Sequence, residues 1–241
     1  MYAYRSRDRA QVHLRAQQLA RDIILETVHA SVSERGATRM DAVLSVQWVE
    51  KDHASADTSK SRRTLWGTVL SGQLAPGDEV YINGATRATI SDIRTLAGDA
   101  QLAHSGSSVG VRLDREVDAS RGDWIAVGSQ PESTREALAT VAWLDTEPLA
   151  PGRTYWALHG HRWTKAKVRR IVHELDVQDL AQREASQLLA NAIGQVELLF
   201  QTALPLRPYA ESPALGRLIL VDTATHATVA AVLVEASMTS P

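Results

Sequence analysis

From residue 42 onward the chain switches to short strand candidates that recur at close spacing, several of them separated by turns rich in Gly, Pro, Asn or Asp. Ala42, Leu44, Val46 and Trp48, for example, alternate with Val43, Ser45, Gln47 and Val49. A period of two is that of an extended strand, whose successive side chains point to opposite faces. Further strands are predicted at 65–70, 78–82, 87–96, 107–113, 123–127, 137–144, 153–159, 165–172, 193–201, 216–222 and 228–234. Pro76-Gly77-Asp78, Asn83-Gly84 and Arg121-Gly122-Asp123 separate some of them, and these residues supply the backbone angles of tight turns. Many short strands at close spacing is the rhythm of sandwiches and barrels.

Three segments depart from that rhythm. Over residues 10–30, Val12, Ala16, Leu19, Ile23 and Val28 fall at three- to five-residue steps, a pattern that predicts an amphipathic helix ending near Gly36. Residues 50–63 are polar and charged, as suits an exposed loop between two strands. Gly128-Ser129-Gln130-Pro131-Glu132-Ser133 is a polar break between strand-rich halves. The expected organisation is therefore a helical extension over 1–40, one β-domain over 41–130 and a second over 131–241. Residues 178–190, with Leu180, Glu184, Leu188 and Leu189, fit a short helix or a loop equally well.

Composition narrows the chemistry. At 241 residues the chain accommodates two domains of ordinary size. The formal net charge of -2 provides no global field for nucleic acid or an anionic membrane. With no cysteine there is no disulfide framework and no thiolate chemistry, which fits a reducing compartment. No apolar stretch approaches the roughly 20 residues of a membrane span, so a cytoplasmic location is expected.

Several motifs invite functional readings. Gly106-Ser107-Ser108-Val109-Gly110 matches the nucleophile elbow G-x-S-x-G, but that motif needs a helix after the serine, and here the alternation of Val109, Val111 and Leu113 predicts a strand. His159 and His161 would share one face of a strand, yet no third metal ligand is evident. Arg162, Lys165, Lys167, Arg169 and Arg170 form a basic run around Trp163, with Lys165, Lys167 and Arg169 expected on one face. Solvation of that face explains the charges more simply than RNA, so nucleic acid is not the expected partner. Trp48, Trp66, Trp124, Trp143 and Trp156 lie in strand patterns and are expected in core or rim packing. No catalytic, cofactor-binding or metal residue is assigned.

Two stretches carry a family resemblance. Gly67-Thr68-Val69-Leu70-Ser71-Gly72-Gln73-Leu74-Ala75-Pro76-Gly77-Asp78-Glu79-Val80 resembles the second domain of translation GTPases of the elongation factor Tu kind. Leu113-Asp114-Arg115-Glu116-Val117-Asp118-Ala119-Ser120-Arg121-Gly122-Asp123 is similar to a narrower pattern, that of the large GTPase subunit of bacterial sulfate adenylyltransferase. Val46-Gln47-Trp48-Val49, the run from Trp143 to Arg153, and Gly216-Arg217-Leu218-Ile219-Leu220-Val221-Asp222 agree in order. The resemblance spans about residues 42 to 235 and departs from the family at Arg207-Pro208-Tyr209 and Ser212-Pro213.

The resemblance implies a mainly β fold, with two antiparallel β-barrels of translation-factor type following the amphipathic helix. It implies a small catalytic subunit as partner, which makes adenosine 5'-phosphosulfate and pyrophosphate from ATP and sulfate while GTP hydrolysis drives the synthesis. In the family a GTPase domain holding GTP and Mg2+ precedes the barrels. This chain contains no G-x-x-x-x-G-K-[S/T], no D-x-x-G and no N-K-x-D, so it is expected to bind no such cofactor, with GTP chemistry left to a separate GTPase domain. An RNA-binding or orphan protein-interaction barrel pair is the alternative reading.

Overall fold

The computed structural model describes residues 42–51, 63–128, 133–176, 178–179 and 181–238. The helix expected over 10–30 and most of the loop expected over 50–63 lie outside the described residues. Everything described is strand, turn or irregular chain, and among the described residues there is no helix. Two compact units result. One comprises the described residues before Ser133 together with Gly160–Arg162, and the other comprises Ser133–His159 and the chain from Trp163 onward.

The first unit is a closed barrel of six antiparallel strands. Its strands are β1 (Val43–Lys51), β2 (Arg63–Ser71), β4 (Glu79–Ile82), β5 (Thr86–Thr95), β8 (Ser108–Leu113) and β9 (Trp124–Val127). They follow one another around the wall as β4, β9, β1, β2, β8, β5, and a β4–β5 pairing closes the ring. The short β3 (Gln73–Leu74) pairs with β7 (Ala103–His104), and β6 (Gly98–Ala100) extends β5 as a hairpin. Alternate residues such as Leu44, Leu65, Val80, Ile90, Val111 and Ile125 fill the interior. Each such side chain contributes about 1.5–3 kcal/mol by leaving water.

The turns Pro76-Gly77-Asp78 and Arg121-Gly122-Asp123 are built alike. Gly77 (φ 91°) and Gly122 (φ 92°) take the left-handed conformation that only glycine adopts without strain. The Asp78 carboxylate accepts the Ala75 N–H at 2.8 Å, and the Asp123 carboxylate accepts the Ser120 N–H at 2.8 Å. Each aspartate thus ties the turn that launches a strand, β4 or β9, and those strands are neighbours in the wall. The Gly-Asp pairs of both family-like stretches are turn chemistry.

The second barrel contains β10 (Thr134–Trp143), β11 (Thr154–His159), β12 (Arg162–Leu175), β14 (Ile193–Leu204), β15 (Arg217–Val221) and β16 (Thr228–Met238). Around the wall they run β11, β15, β16, β10, β14, β12, closed by a β11–β12 pairing, with β13 (Gln182–Arg183) appended to β12. Trp143, Tyr155, Val168, Leu198, Phe200, Leu220 and Val232 fill its core. Gly216 is forced by contact: a Cβ there would collide with the Tyr209 backbone. At this point the Val234 N–H donates to the Gly216 carbonyl at 2.7 Å, and the Tyr209 N–H donates to the Val234 carbonyl at 2.7 Å.

The described part of 178–190 is not helical. Gln182 and Arg183 pair with Leu175 and Glu174, while Leu188 exchanges backbone hydrogen bonds with Leu149 at 2.9 and 3.0 Å. These peptide groups are satisfied across the barrel, not by neighbours four residues away as a helix requires. The four short strands β3, β6, β7 and β13 were outside the sequence expectation, being too short to show a period.

Candidate functional site

The sequence motifs that suggested catalysis resolve into structure. Gly106 (φ 84°) turns the chain into β8, Ser108 is exposed, and strand follows, as the alternation predicted. His159 is fully buried at the end of β11, its Nε2 3.0 Å from the Leu215 carbonyl oxygen. Gly160 (φ 58°) then turns the chain before β12 begins at Arg162. His159 and His161 therefore do not share a strand face, because the strand ends between them. Among the described residues no group of three or more His, Cys, Asp or Glu is placed to hold a metal ion.

The residues between Trp143 and Arg153 meet Asp222 in one polar corner of the second barrel. Arg153 bridges Glu147 at 2.6 Å and Asp222 at 2.8 Å, and its guanidinium lies 5.4 Å from the centre of the Tyr155 ring. The Asp222 carboxylate also accepts the Thr225 and Ala224 N–H groups at 2.8 and 2.9 Å. Those backbone donors, followed by the Thr225 hydroxyl and Arg153, hold its carboxyl down to about 2. The Trp143 indole N–H donates to the Glu147 carbonyl at 2.8 Å, and its ring meets Tyr155 edge-on. Tyr155 is buried, its hydroxyl has no hydrogen-bond partner among the described residues, and desolvation pushes that phenol up to about 12. This corner fastens the barrel, with the Arg153 guanidinium tying the exposed Glu147 to the enclosed Asp222.

The tryptophans divide. Trp124 and Trp143 are buried, as expected, whereas Trp48 is 65% exposed. The cause is a register shift between Val46 and Trp48 in the β1–β2 ladder, which leaves Gln47 as an extra residue. Such a bulge reverses the alternation, so Val49 packs toward the core and Trp48 points out, opposite Trp66. Trp66 covers the Cα of Gly110, where a Cβ would approach its ring to 2.9 Å, and donates to Glu50 at 2.7 Å.

The basic run is the one sequence feature that becomes a coherent surface. Along β12, Thr164, Ala166 and Val168 are buried while Trp163, Lys165, Lys167 and Arg169 face outward, and a register shift turns Arg170 out as well. Arg169 pairs with Glu136 of β10 at 3.2 Å, and Arg170 pairs with Glu197 of β14. The Lys165 ammonium lies 5.5 Å from the centre of the Trp156 ring of β11. Among the described residues no carboxylate lies within ion-pair reach of Lys165 or Lys167. Leu199, the β14 partner of Lys167, adds an exposed apolar side chain. The cross-strand neighbours Trp156, Glu136, Glu197 and Leu199 could not be read from the run itself, since strand pairing brings them there.

Closed six-stranded antiparallel barrels of this kind define a barrel module of translation-factor type. Residues 136–235 match a family model described as GTP-eEF1A C-terminal domain-like. The crystal structure of sup35 complexed with GDP superposes with a TM-score of 0.72 at 17% identity, covering 83% of this chain and 48% of that one. Sulfate adenylyltransferase subunit 1 of Citrobacter koseri is 35% identical over 170 residues, which is 70% of this chain and 36% of the relative. The Salmonella heidelberg subunit 1 is 30% identical over 213 residues, which is 88% of this chain and 43% of the relative. That span is longer than either barrel, so the chain is homologous to sulfate adenylyltransferase subunit 1 through both of its barrels. It spans about two fifths of the length of that relative. No helix among the described residues is long and apolar enough to cross a membrane.

Proposed function

We propose that this chain is a non-catalytic docking module that binds the small catalytic subunit of sulfate adenylyltransferase and supports formation of adenosine 5'-phosphosulfate and pyrophosphate from ATP and sulfate. The observation that carries this reading is the similarity to subunit 1 running through both barrels. Two features support a docking role over a catalytic one. These 241 residues contain no phosphate loop, and the polar groups most perturbed by their surroundings, around Arg153 and Asp222, are occupied in fastening the second barrel. GTP chemistry is then supplied by residues other than these.

The test is size-exclusion chromatography with light scattering on this chain mixed with the small catalytic subunit from the same genome. A co-eluting complex is expected, with sulfate-dependent pyrophosphate release by the catalytic subunit changing when this chain is added. Two separate peaks would overturn the reading.

A further inference from the structure

We infer that the outer wall of the second barrel along β12 is a docking surface for an acidic face of a protein partner, gripped by Trp163, Lys165, Lys167 and Leu199. This rests on the docking role proposed above and says where and by what chemistry it is exerted. From Ala166 onward β12 is already paired along one side with β14, and the face of this wall is built of side chains, so a partner seated on it is read through them. The wall offers a mixed set. Trp163 is 52% exposed and Leu199 39%, enough apolar surface for the anchors that dominate binding energy. Lys165 and Lys167 stand about 7 Å apart on the same face and have no carboxylate in reach among the described residues. The indole of Trp156 lies close beneath the Lys165 ammonium, an arrangement that presents the cation outward without neutralising it. Acidic side chains from outside complete this charge pattern.

The same wall argues against nucleic acid as its occupant. Glu136 and Glu197 lie beside the basic row and already neutralise Arg169 and Arg170. Among the described residues, Lys165 and Lys167 are the cations of the row without a carboxylate in reach, too few to follow a phosphate backbone, along which a DNA-binding protein can make on the order of six to ten contacts. Carboxylates set among the cations would repel successive phosphates, whereas a protein surface can place its acids against the two lysines alone.

The experiment measures the dissociation constant of the full chain for the small catalytic subunit by biolayer interferometry at low and high salt. The variants are K165E/K167E, W163S and, on the first barrel, K51E. All these positions are exposed, so melting temperatures should match the unaltered chain, and K165Q/K167Q replaces the reversal if it does not fold. We expect the double reversal and W163S each to weaken binding by roughly tenfold or more, K51E to leave it unchanged, and the loss from the reversal to shrink at high salt. Unchanged binding by both β12 variants would overturn this surface while leaving the docking role intact. Absence of binding by the unaltered chain would overturn the docking role and this inference with it. If instead the chain holds a 20-nucleotide oligouridine and the reversal releases it, the surface belongs to nucleic acid and the inference fails.

Discussion

The first strands of the two barrels, β1 and β10, each carry a tryptophan in an alternating pattern, yet one indole is buried and the other is in solvent. In β10 the parity holds throughout: Ala137, Ala139, Val141 and Trp143 all face the core. In β1 it holds only as far as Val46, and the extra residue Gln47 then throws Trp48 outward and brings Val49 in. The two sequences are equally good strands by period. One inserted residue decides whether a large apolar side chain stabilises a core or decorates a wall, because a shift of one reverses every later position. A tryptophan in a strand is therefore not evidence of burial until the register is known.

The largest expected effect breaks the comparison at its buried end. Trp143→Ala removes a fully enclosed ring, its contact with Tyr155 and its bond to Glu147, and should cost about 3–5 kcal/mol in urea unfolding. A loss below about 1 kcal/mol would mean that the second barrel does not depend on this core position.

A pH series sharpens the account of the corner beneath that ring. The Asp222 carboxyl titrates near 2 in the folded chain against an ordinary 3.8. Its contribution is therefore fully present above about pH 4 and is lost as pH falls toward 2. Asp222→Asn should destabilise the chain at pH 7 and flatten the stability profile between pH 4 and pH 2. A profile unchanged by the substitution would show that the depressed carboxyl is not a source of acid sensitivity.

Smaller effects follow at Tyr155 and Trp48. The Tyr155 hydroxyl is buried without a hydrogen-bond partner among the described residues, so Tyr155→Phe should leave stability unchanged or raise it by up to about 1 kcal/mol, since no hydrogen bond is lost and a desolvated polar group is removed. A clear loss in thermal unfolding would reveal a partner for that phenol. Trp48→Ala, at the exposed end of the comparison, should change stability by no more than about 0.5 kcal/mol. A cost near that of Trp143→Ala would show that the bulge does not isolate Trp48 from the barrel.

Much of the fold was legible because its signals are local. Alternation or a short apolar run between turn residues marked all twelve strands that make the barrel walls, and Gly77 with Asp78 and Gly122 with Asp123 marked turns whose geometry depends on four adjacent residues. The candidate surface was legible in half: Lys165, Lys167 and Arg169 share a face, as strand period requires. Its other half, Trp156, Leu199, Glu136 and Glu197, comes from strands β11, β14 and β10, which no spacing along β12 specifies.

What the sequence alone determined is the set of strands, their turns and, through the ordered motifs, the kinship with sulfate adenylyltransferase subunit 1. The tertiary structure decided which strands are neighbours, and hence that both sheets close. It also decided that Trp48 faces out, that His159 and His161 part at Gly160, and that Arg153, Glu147 and Asp222 form a fastening corner. Local steric preference and hydrophobic period act over a few residues and are written where they act. Pairing, register and burial depend on groups far apart in the chain, and the assembled barrel selects among arrangements that the local pattern leaves equivalent.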